Sequence, residues 1–277
     1  MFMMDSLKGF MRQCLPPAAL DAMHYLRQPL DTGFWGNYAS YEAAQSASAG
    51  YDSELILDKA VKATLQVAKG EAVAERDTVI FDRPLYVYPL FAHLLRLYHI
   101  LQRPVRVADF GGALGSTYFQ FKSFVGDVAP VAQWRVIEQP HFVRMGEQLF
   151  KNESLQFVNA LEDIEAPDMI LLSSVLQYLP DPYGALERFL SYRPLTIVLD
   201  RTPYWGHQGD RITVQKVPKH IYEASYPCWL LDEAKIQKIF KDKYDCIYDA
   251  IGLEGEVVTR SNKCCFKDKI YWQPNLK

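Results

Sequence analysis

The sequence has few cysteines and no hydrophobic run long enough to cross a membrane. Its 277 residues contain five cysteines, and because none share a C-x-x-C spacing we expect neither a disulfide framework nor structural zinc, and predict a cytoplasmic protein. No stretch approaches the roughly 20 apolar residues of a spanning helix. Charged residues interrupt the first 30 positions, so we expect no signal peptide. For residues 7–27, both a helix packed on the domain and a peripheral membrane contact remain open.

The sequence also lacks a strong excess of charge of either sign. The 33 acidic residues against 30 basic ones give a net charge of −3, so we expect no general attraction to nucleic acid. The six histidines show no metal-binding spacing, and we predict no metal site. What the sequence has is 49% hydrophobic and 13% aromatic residues, a composition typical of a folded domain with packed pockets.

The pattern of apolar residues changes at about residue 104. Residues 33–104 have helical periodicity, and we predict that residues 1–104 form an N-terminal helical extension or cap. From residue 105 onward, short apolar runs alternate with amphipathic stretches, which is typical of a parallel sheet covered by helices. The predicted strands of this part are 105–110, 134–138, 155–158, 168–174 and 195–200.

Residues 203–231 are too long for a simple connection after the fifth strand, so we predict a functional insertion with a short strand over 211–217. A helix near 232–242 should follow. The last two strands, 244–251 and 263–273, are joined by a short loop. That loop favours an antiparallel pair, because a parallel pair needs a longer crossover.

The segment VADFGGALGS, residues 107–116, ends the first predicted strand and opens a helix. Its three glycines let the backbone approach a ligand closely, and the free N–H groups of the helix start can bind an anion. Glu138 ends the second strand, where a carboxylate can accept both ribose hydroxyls of a nucleotide. Asp109 precedes the glycines and suits an ammonium group rather than a phosphate, so a ligand with adenosine at one end and an amino acid at the other fits better than NAD.

These residues resemble the class I S-adenosylmethionine-dependent methyltransferases, through D-F-G-G-x-x-G at 109–115, V-I-E at 136–138 and a strand ending in Ser173-Ser174. The sequence more narrowly resembles a methyltransferase family encoded in bacterial surface-polysaccharide (O-antigen or capsule) gene clusters. The narrower resemblance covers about residues 33–250 and rests on S-A-G-Y-D (48–52), R-D (76–77), E-Q-P (138–140), S-x-L-Q-Y-L (174–179), D-R-T-P (200–203) and A-S-Y-P (224–227).

The resemblance implies an α/β fold with a Rossmann-like, seven-stranded, mostly parallel sheet whose last strand is antiparallel, over residues 105–277. It also implies S-adenosyl-L-methionine as cofactor and S-adenosyl-L-homocysteine as product. The cofactor-binding residues that it implies are Asp109, Gly111, Gly112, Gly115, Ser116, Tyr118, Glu138, Gln139, Leu161, Glu162, Ser173 and Ser174. Tyr118 could equally pack on the sheet, and Glu162, with which Asp163 competes, could be a solvated loop carboxylate.

Methyl transfer to a hydroxyl requires a base or a metal, because an alcohol is hardly acidic at neutral pH. His207, just past the fifth strand, is the base candidate, although it could be an ordinary loop histidine. Asp200 and Arg201 could orient that base, bind substrate or form a structural ion pair. The candidate substrate contacts, each of which could instead serve packing, are Gln177, Tyr178, Tyr204, Trp205, Gln215 and Tyr222.

The sequence therefore predicts a methyltransferase acting on a small-molecule or glycan acceptor. The expected reaction is O-methylation of a sugar or sugar-containing precursor of a cell-surface polysaccharide. Two alternatives remain: a non-catalytic Rossmann-like partner in polysaccharide assembly, and an NAD-dependent sugar oxidoreductase. Asp109 and the antiparallel closing pair of strands disfavour the oxidoreductase.

Overall fold

The computed structural model of the protein describes residues 32–50, 53–126, 131–219, 221–259 and 262–274. The helices are α1 (Tyr41–Ser46), α2 (Ser53–Ala68), α3 (Tyr88–Leu101), α4 (Ser116–Val125), α5 (Pro140–Leu149), α6 (Pro182–Ser191) and α7 (Glu233–Phe240). The strands are β1 (Gly33–Tyr38), β2 (Ala74–Arg76), β3 (Val79–Phe81), β4 (Val105–Phe110), β5 (Ala132–Ile137), β6 (Leu155–Val158), β7 (Met169–Ser173), β8 (Thr196–Trp205), β9 (Arg211–Lys216), β10 (Ser225–Leu230), β11 (Asp245–Val258) and β12 (Lys263–Trp272). No helix in these ranges is long and apolar enough to cross a membrane, and the predicted segment 7–27 lies outside them.

A seven-stranded sheet forms the centre of the molecule, with the strand order β11-β12-β8-β7-β4-β5-β6. The strands from β8 to β6 pair in parallel. The last strand, β12, runs antiparallel to both of its neighbours, β8 and β11. The predicted Rossmann-like fold class, with a mostly parallel sheet and an antiparallel last strand, is confirmed.

Helices cover both faces of the sheet, which explains the nearly continuous apolar runs in its strands. Met169, Ile170, Leu171 and Leu172 in β7 are fully buried. One core, which includes Trp134, lies under α3, α4 and α5, and a second core lies under α6 and α7. Asp181 caps α6, because its side chain accepts a hydrogen bond from a backbone N–H of the first turn.

The carboxyl end of β8 differs from the prediction. We expected this strand to stop at residue 200, but it continues to Trp205. The antiparallel partner β12 explains the extension, because it pairs with β8 as far as Cys264 opposite Trp205. The extra residues therefore receive ladder hydrogen bonds that a strand-by-strand interpretation does not anticipate.

The expectation of a purely helical segment before residue 104 is wrong in part. Helices α2 and α3 lie where the periodicity placed them, but β1, β2 and β3 are strands. Strand β1 pairs with β9 of the 203–231 insertion, and the two form a three-stranded antiparallel sheet with β10. The partners β1 and β9 are distant in sequence, and the β2–β3 hairpin has only three residues per strand. Neither feature therefore produces an alternating pattern that could be recognised in the sequence. The boundary between an N-terminal extension and the main domain at residue 104 stays a prediction.

Candidate functional site

The glycine-rich segment forms a tight turn between β4 and α4. Gly111 has φ +74°, and a Cβ added there would lie 2.5 Å from Cγ2 of Val175. A Cβ on Gly112 would lie 2.5 Å from Cγ of Asp109. Gly115, with φ +89°, caps the start of α4 without a side-chain hydrogen bond. Each glycine therefore meets a steric or conformational demand, because a side chain at these positions would collide with the protein or adopt an unfavourable φ.

Asp109 lies beneath the turn rather than in the open site. It is 1% exposed, and its Oδ2 accepts a hydrogen bond of 2.8 Å from Nε1 of Trp134 on β5. Burial, together with the charges of Glu138 and Asp200, raises the pKa of Asp109 to about 7, against the effect of this hydrogen bond. Its Oδ1 has no hydrogen-bond partner among the described residues. Asp109 thus supports the turn and keeps one polar atom unsatisfied.

Glu138 lies beside the turn at the end of β5. Its Oε1 accepts a hydrogen bond of 3.3 Å from the backbone N–H of Ala113, and its Oε2 accepts one of 2.9 Å from Gln139. Burial raises the pKa of Glu138 in opposition to these two bonds. Gln139 itself is exposed and precedes α5. The carboxylate is therefore fixed next to the backbone of the glycine turn, and its role toward a nucleotide stays a prediction.

A cavity opens over the carboxyl ends of β4, β7 and β8, where ligands collect in open α/β sheets. The predicted residues that line it are Gly111, Gly112, Ser116, Ser173, Ser174, Asp200, Arg201 and Tyr222. These residues come from the turn, two strand ends and the insertion. The structure therefore joins the predicted cofactor turn and part of the predicted acceptor site in one cavity.

Asp200 and Arg201 lie inside this cavity, at the point of β8 where its parallel pairing with β7 ends. Oδ2 of Asp200 accepts a hydrogen bond from the hydroxyl of Ser173 on the adjacent strand. Arg201 Nε lies 3.7 Å from the same oxygen, while its backbone N–H donates to Asp268 at 2.9 Å. Burial and the charge of Asp200 raise the pKa of Asp268 to about 7. Asp200 and Arg201 therefore form an ion pair and also line the cavity.

The β2–β3 hairpin contributes residues that the sequence analysis did not assign to the site. Glu75, Arg76 and Asp77 line the cavity opposite the sheet. The hydroxyl of Ser116 donates a hydrogen bond to Glu75 Oε1, and burial raises the pKa of Glu75. The R-D motif at 76–77 marked this segment as part of the family resemblance, but nothing in its pattern placed it over the glycine turn.

Several predicted residues do not line the cavity. His207 is exposed, with its ring centroid 4.9 Å from that of Trp205. Tyr118 is buried in the core and donates a hydrogen bond of 3.2 Å to Asn152, which is the packing alternative. Glu162 is exposed and pairs with Arg188, as a loop carboxylate would. Leu161 is buried in the second core.

The remaining acceptor candidates surround the cavity without lining it. Tyr178 donates a hydrogen bond of 2.8 Å to Gln215, and Gln177 donates one of 3.0 Å to Ser174. Tyr204 is 2% exposed, with the ammonium of Lys269 5.5 Å from its ring centroid. Trp205 lies under the guanidinium of Arg211 at 4.8 Å. In this structure, each of these side chains contacts another side chain of the protein.

No family model matches the chain, and no curated protein does. Among solved structures, the chain is similar to the N-terminal domain of EvdMO1 determined in the presence of SAH and D-fucose, with 14% identity, a TM-score of 0.46 and coverage of 81% of this chain and 98% of that one. A SAM-dependent methyltransferase from Methanosarcina mazei has 13% identity, a TM-score of 0.44 and coverage of 69% and 99%. Magnesium protoporphyrin IX methyltransferase from Synechocystis PCC 6803, with bound SAM, has 16% identity, a TM-score of 0.43 and coverage of 80% and 98%. These similarities assign neither a ligand nor a reaction to this chain.

Proposed function

We propose that the protein is an S-adenosylmethionine-dependent methyltransferase that O-methylates a sugar or a sugar-containing precursor of a cell-surface polysaccharide. One observation carries this proposal: the glycine turn after β4 lines the same cavity as Asp200 and Tyr222. Glu138 is bonded to the backbone of that turn from outside the cavity lining. A nucleotide-type site and a polar, aromatic acceptor site are therefore adjacent, as direct transfer between two bound molecules requires.

The chain's own residues fit this cofactor. Gly111 and Gly112 line the cavity, so a ligand can lie against the backbone of the turn. Glu138 offers carboxylate oxygens to ribose hydroxyls, and Glu75 with Ser116 offers polar groups near the start of α4. When bound, the cofactor supplies a methyl group already activated by its sulfonium. The protein then has to align the acceptor and remove its proton.

We assign this proton transfer to Asp200, one of the carboxylates that line the cavity. Ser173 and Arg201 fix the position of its Oδ2. A hydroxyl held in the cavity can therefore pass its proton to Asp200 as the methyl group is transferred. A carboxylate base can take the proton of a hydroxyl directly.

The acceptor class is supported by Tyr222, whose ring lines the cavity among carboxylate and hydroxyl groups. A sugar has apolar faces and polar edges, and such a lining matches both. The place in polysaccharide synthesis, in the cytoplasm, rests on the sequence motifs shared with the surface-polysaccharide methyltransferase family. The R-D and D-R-T-P motifs both lie at the cavity, through Arg76, Asp77, Asp200 and Arg201.

The experiment that tests the proposal is a methyl-transfer assay on the purified full chain. The protein is incubated with S-adenosylmethionine carrying a labelled methyl group and a panel of hexoses, uronic acids, sugar phosphates and nucleotide sugars. Mass spectrometry should detect one added CH₂ unit on a panel member, with loss of the label from the donor. Donor binding without any methylated product would favour the alternative of a non-catalytic partner.

A further inference from the structure

Arg76 lines the cavity with its positive charge almost unpaired. Its side chain is 13% exposed, and the nearest carboxylate oxygen, Oε1 of Glu254 on β11, lies 3.8 Å from Nη1. This distance is too long for a hydrogen bond. The Arg76 guanidinium makes no hydrogen bond to any residue in the described part of the chain.

The neighbouring Arg201 shows the opposite arrangement. Its Nη1 donates hydrogen bonds of 3.1 Å to Asp77 and 3.3 Å to Glu254, and its Nε lies 3.7 Å from Asp200. The carboxylates around Arg76 are therefore already engaged: Asp77 and Glu254 with Arg201, and Asp200 with Ser173 as well. None of them supplies Arg76 with a close partner.

A largely buried guanidinium without hydrogen bonds is unfavourable, because its N–H groups lose water and gain no hydrogen-bond acceptor in return. Burial lowers the pKa of Arg76, and the charge of Arg201 lowers it further against the attraction of Glu254, Asp200 and Asp77. A planar guanidinium with free N–H groups matches the two oxygens of a carboxylate or a phosphate. An oxyanion in the cavity would supply the hydrogen bonds that Arg76 lacks among the described residues.

We propose that the methyl acceptor is a negatively charged sugar and that Arg76 binds its carboxylate or phosphate group. This inference rests on the proposed methyltransferase function. The oxyanion belongs to the acceptor rather than to the cofactor because Arg76 lies at the β8–β11 side of the cavity, next to Arg201 and Glu254. At the glycine turn the polar group from the hairpin is Glu75, which is acidic.

The test is a calorimetric titration of the full chain saturated with S-adenosylhomocysteine. Three probes of similar size are used: methyl β-D-glucuronide, D-glucose 1-phosphate and the neutral methyl β-D-glucoside. At least one anionic probe should bind about tenfold or more tightly than the neutral one, the range expected for a charge-assisted hydrogen-bonded pair. The stronger of the two anionic probes distinguishes a uronate acceptor from a sugar phosphate.

Arg76→Gln should remove the preference for the anionic probe, and Arg76→Lys should retain part of it because it keeps the charge without the planar donors. Arg83→Gln is the matched control, since Arg83 is an exposed arginine of the same segment outside the cavity lining. Circular dichroism checks that each variant is folded. If Arg76→Gln does not fold, the comparison is made with Arg76→Lys instead.

Two results would overturn the inference. Equal binding of the neutral and anionic probes, or no binding of either anion, would show that the acceptor site does not select an anion. Weaker S-adenosylhomocysteine binding in Arg76→Gln with unchanged probe binding would place Arg76 at the cofactor instead. Absence of S-adenosylhomocysteine binding in the unmodified protein is a different failure, because it contradicts the proposed function itself.

Discussion

Arg201 at the end of β8 donates a hydrogen bond of 3.1 Å to Oδ2 of Asp77, in the two-residue turn of the β2–β3 hairpin. Asp77 and Thr78 form that turn with φ +51° and +71°, a conformation unusual for residues other than glycine and particularly for a β-branched one. The ion pair thus ties a strained turn to the central sheet. It holds Glu75 and Arg76 over the cavity.

Asp77→Asn should loosen the hairpin while leaving the fold nearly as stable. The Asp77 side chain is 67% exposed, and exposed ion pairs contribute about 1 kcal/mol or less to the free energy of unfolding. Hydrogen exchange of residues 74–81 should become faster, and methyl transfer should slow. Asp82→Asn, an exposed aspartate just after the hairpin, is the control. Unchanged exchange in Asp77→Asn would show that the ion pair does not hold the hairpin.

Gly111→Ala should be far more damaging than Gly70→Ala. The two glycines have almost the same φ, +74° and +75°, so the conformational cost of an alanine is matched. At Gly111 the new Cβ would also lie 2.5 Å from Val175, whereas at Gly70 nothing lies within 4 Å. We expect an additional loss of about 1–3 kcal/mol in unfolding free energy for Gly111→Ala, together with loss of cofactor binding. Denaturant unfolding of both variants measures it, and equal losses would refute the packed turn.

Asp109 should make the protein less stable as the pH rises from about 4 to 7. Its pKa is raised from the ordinary 3.8 to about 7 in the folded state, so between these values the native protein holds a proton that the unfolded chain has lost. Stability is therefore greatest below this window and falls through it. Asp268 acts in the same direction, with a pKa also raised to about 7.

The matching variant is Asp109→Asn, which removes the titrating group and should flatten this part of the profile. Urea unfolding at several pH values between about 4 and 8 measures how steeply the free energy of unfolding changes with pH. Asp58→Asn, at an exposed aspartate of α2, should leave the slope unchanged. An Asp109→Asn profile as steep as that of the unmodified protein would assign the pH dependence to other groups.

Asp200→Asn and His207→Ala separate the two candidates for the base. Asp200 lines the cavity, whereas His207 is exposed beside Trp205 and does not. We expect Asp200→Asn to lower the rate of methyl transfer by roughly 10²–10⁴-fold, the range for loss of general-base catalysis, and to leave cofactor affinity nearly intact. His207→Ala should retain near-normal turnover. The reverse pattern in single-turnover rates would restore His207 as the base.

Local pattern predicted the parts of the fold that depend on neighbours in sequence. The strand β4, the glycine turn and the helix after it follow one another directly, and Glu138 ends the next strand, so position along the chain was enough to place them together. The antiparallel last strand was also predictable, because the loop before β12 is too short for a crossover.

The rest of the site depends on contacts between distant segments. Arg76 and Arg201 meet across more than a hundred residues, and the hairpin that carries Arg76 has strands too short for an alternating pattern to be recognised. His207 follows β8 closely in sequence but does not line the cavity. Pairing with β12 continues the strand beyond Asp200 and places His207 past its end. Residues near a strand end are therefore weaker site predictions than residues of the turn itself.

Titration of the purified full chain with S-adenosylmethionine tests the central claim most directly. The account predicts saturable binding at one site per chain, weakened at least about tenfold, or 1.4 kcal/mol, in Glu138→Gln and unchanged in the exposed control Glu165→Gln. Absence of binding to the unmodified, folded protein would contradict it, as would equal affinity in Glu138→Gln.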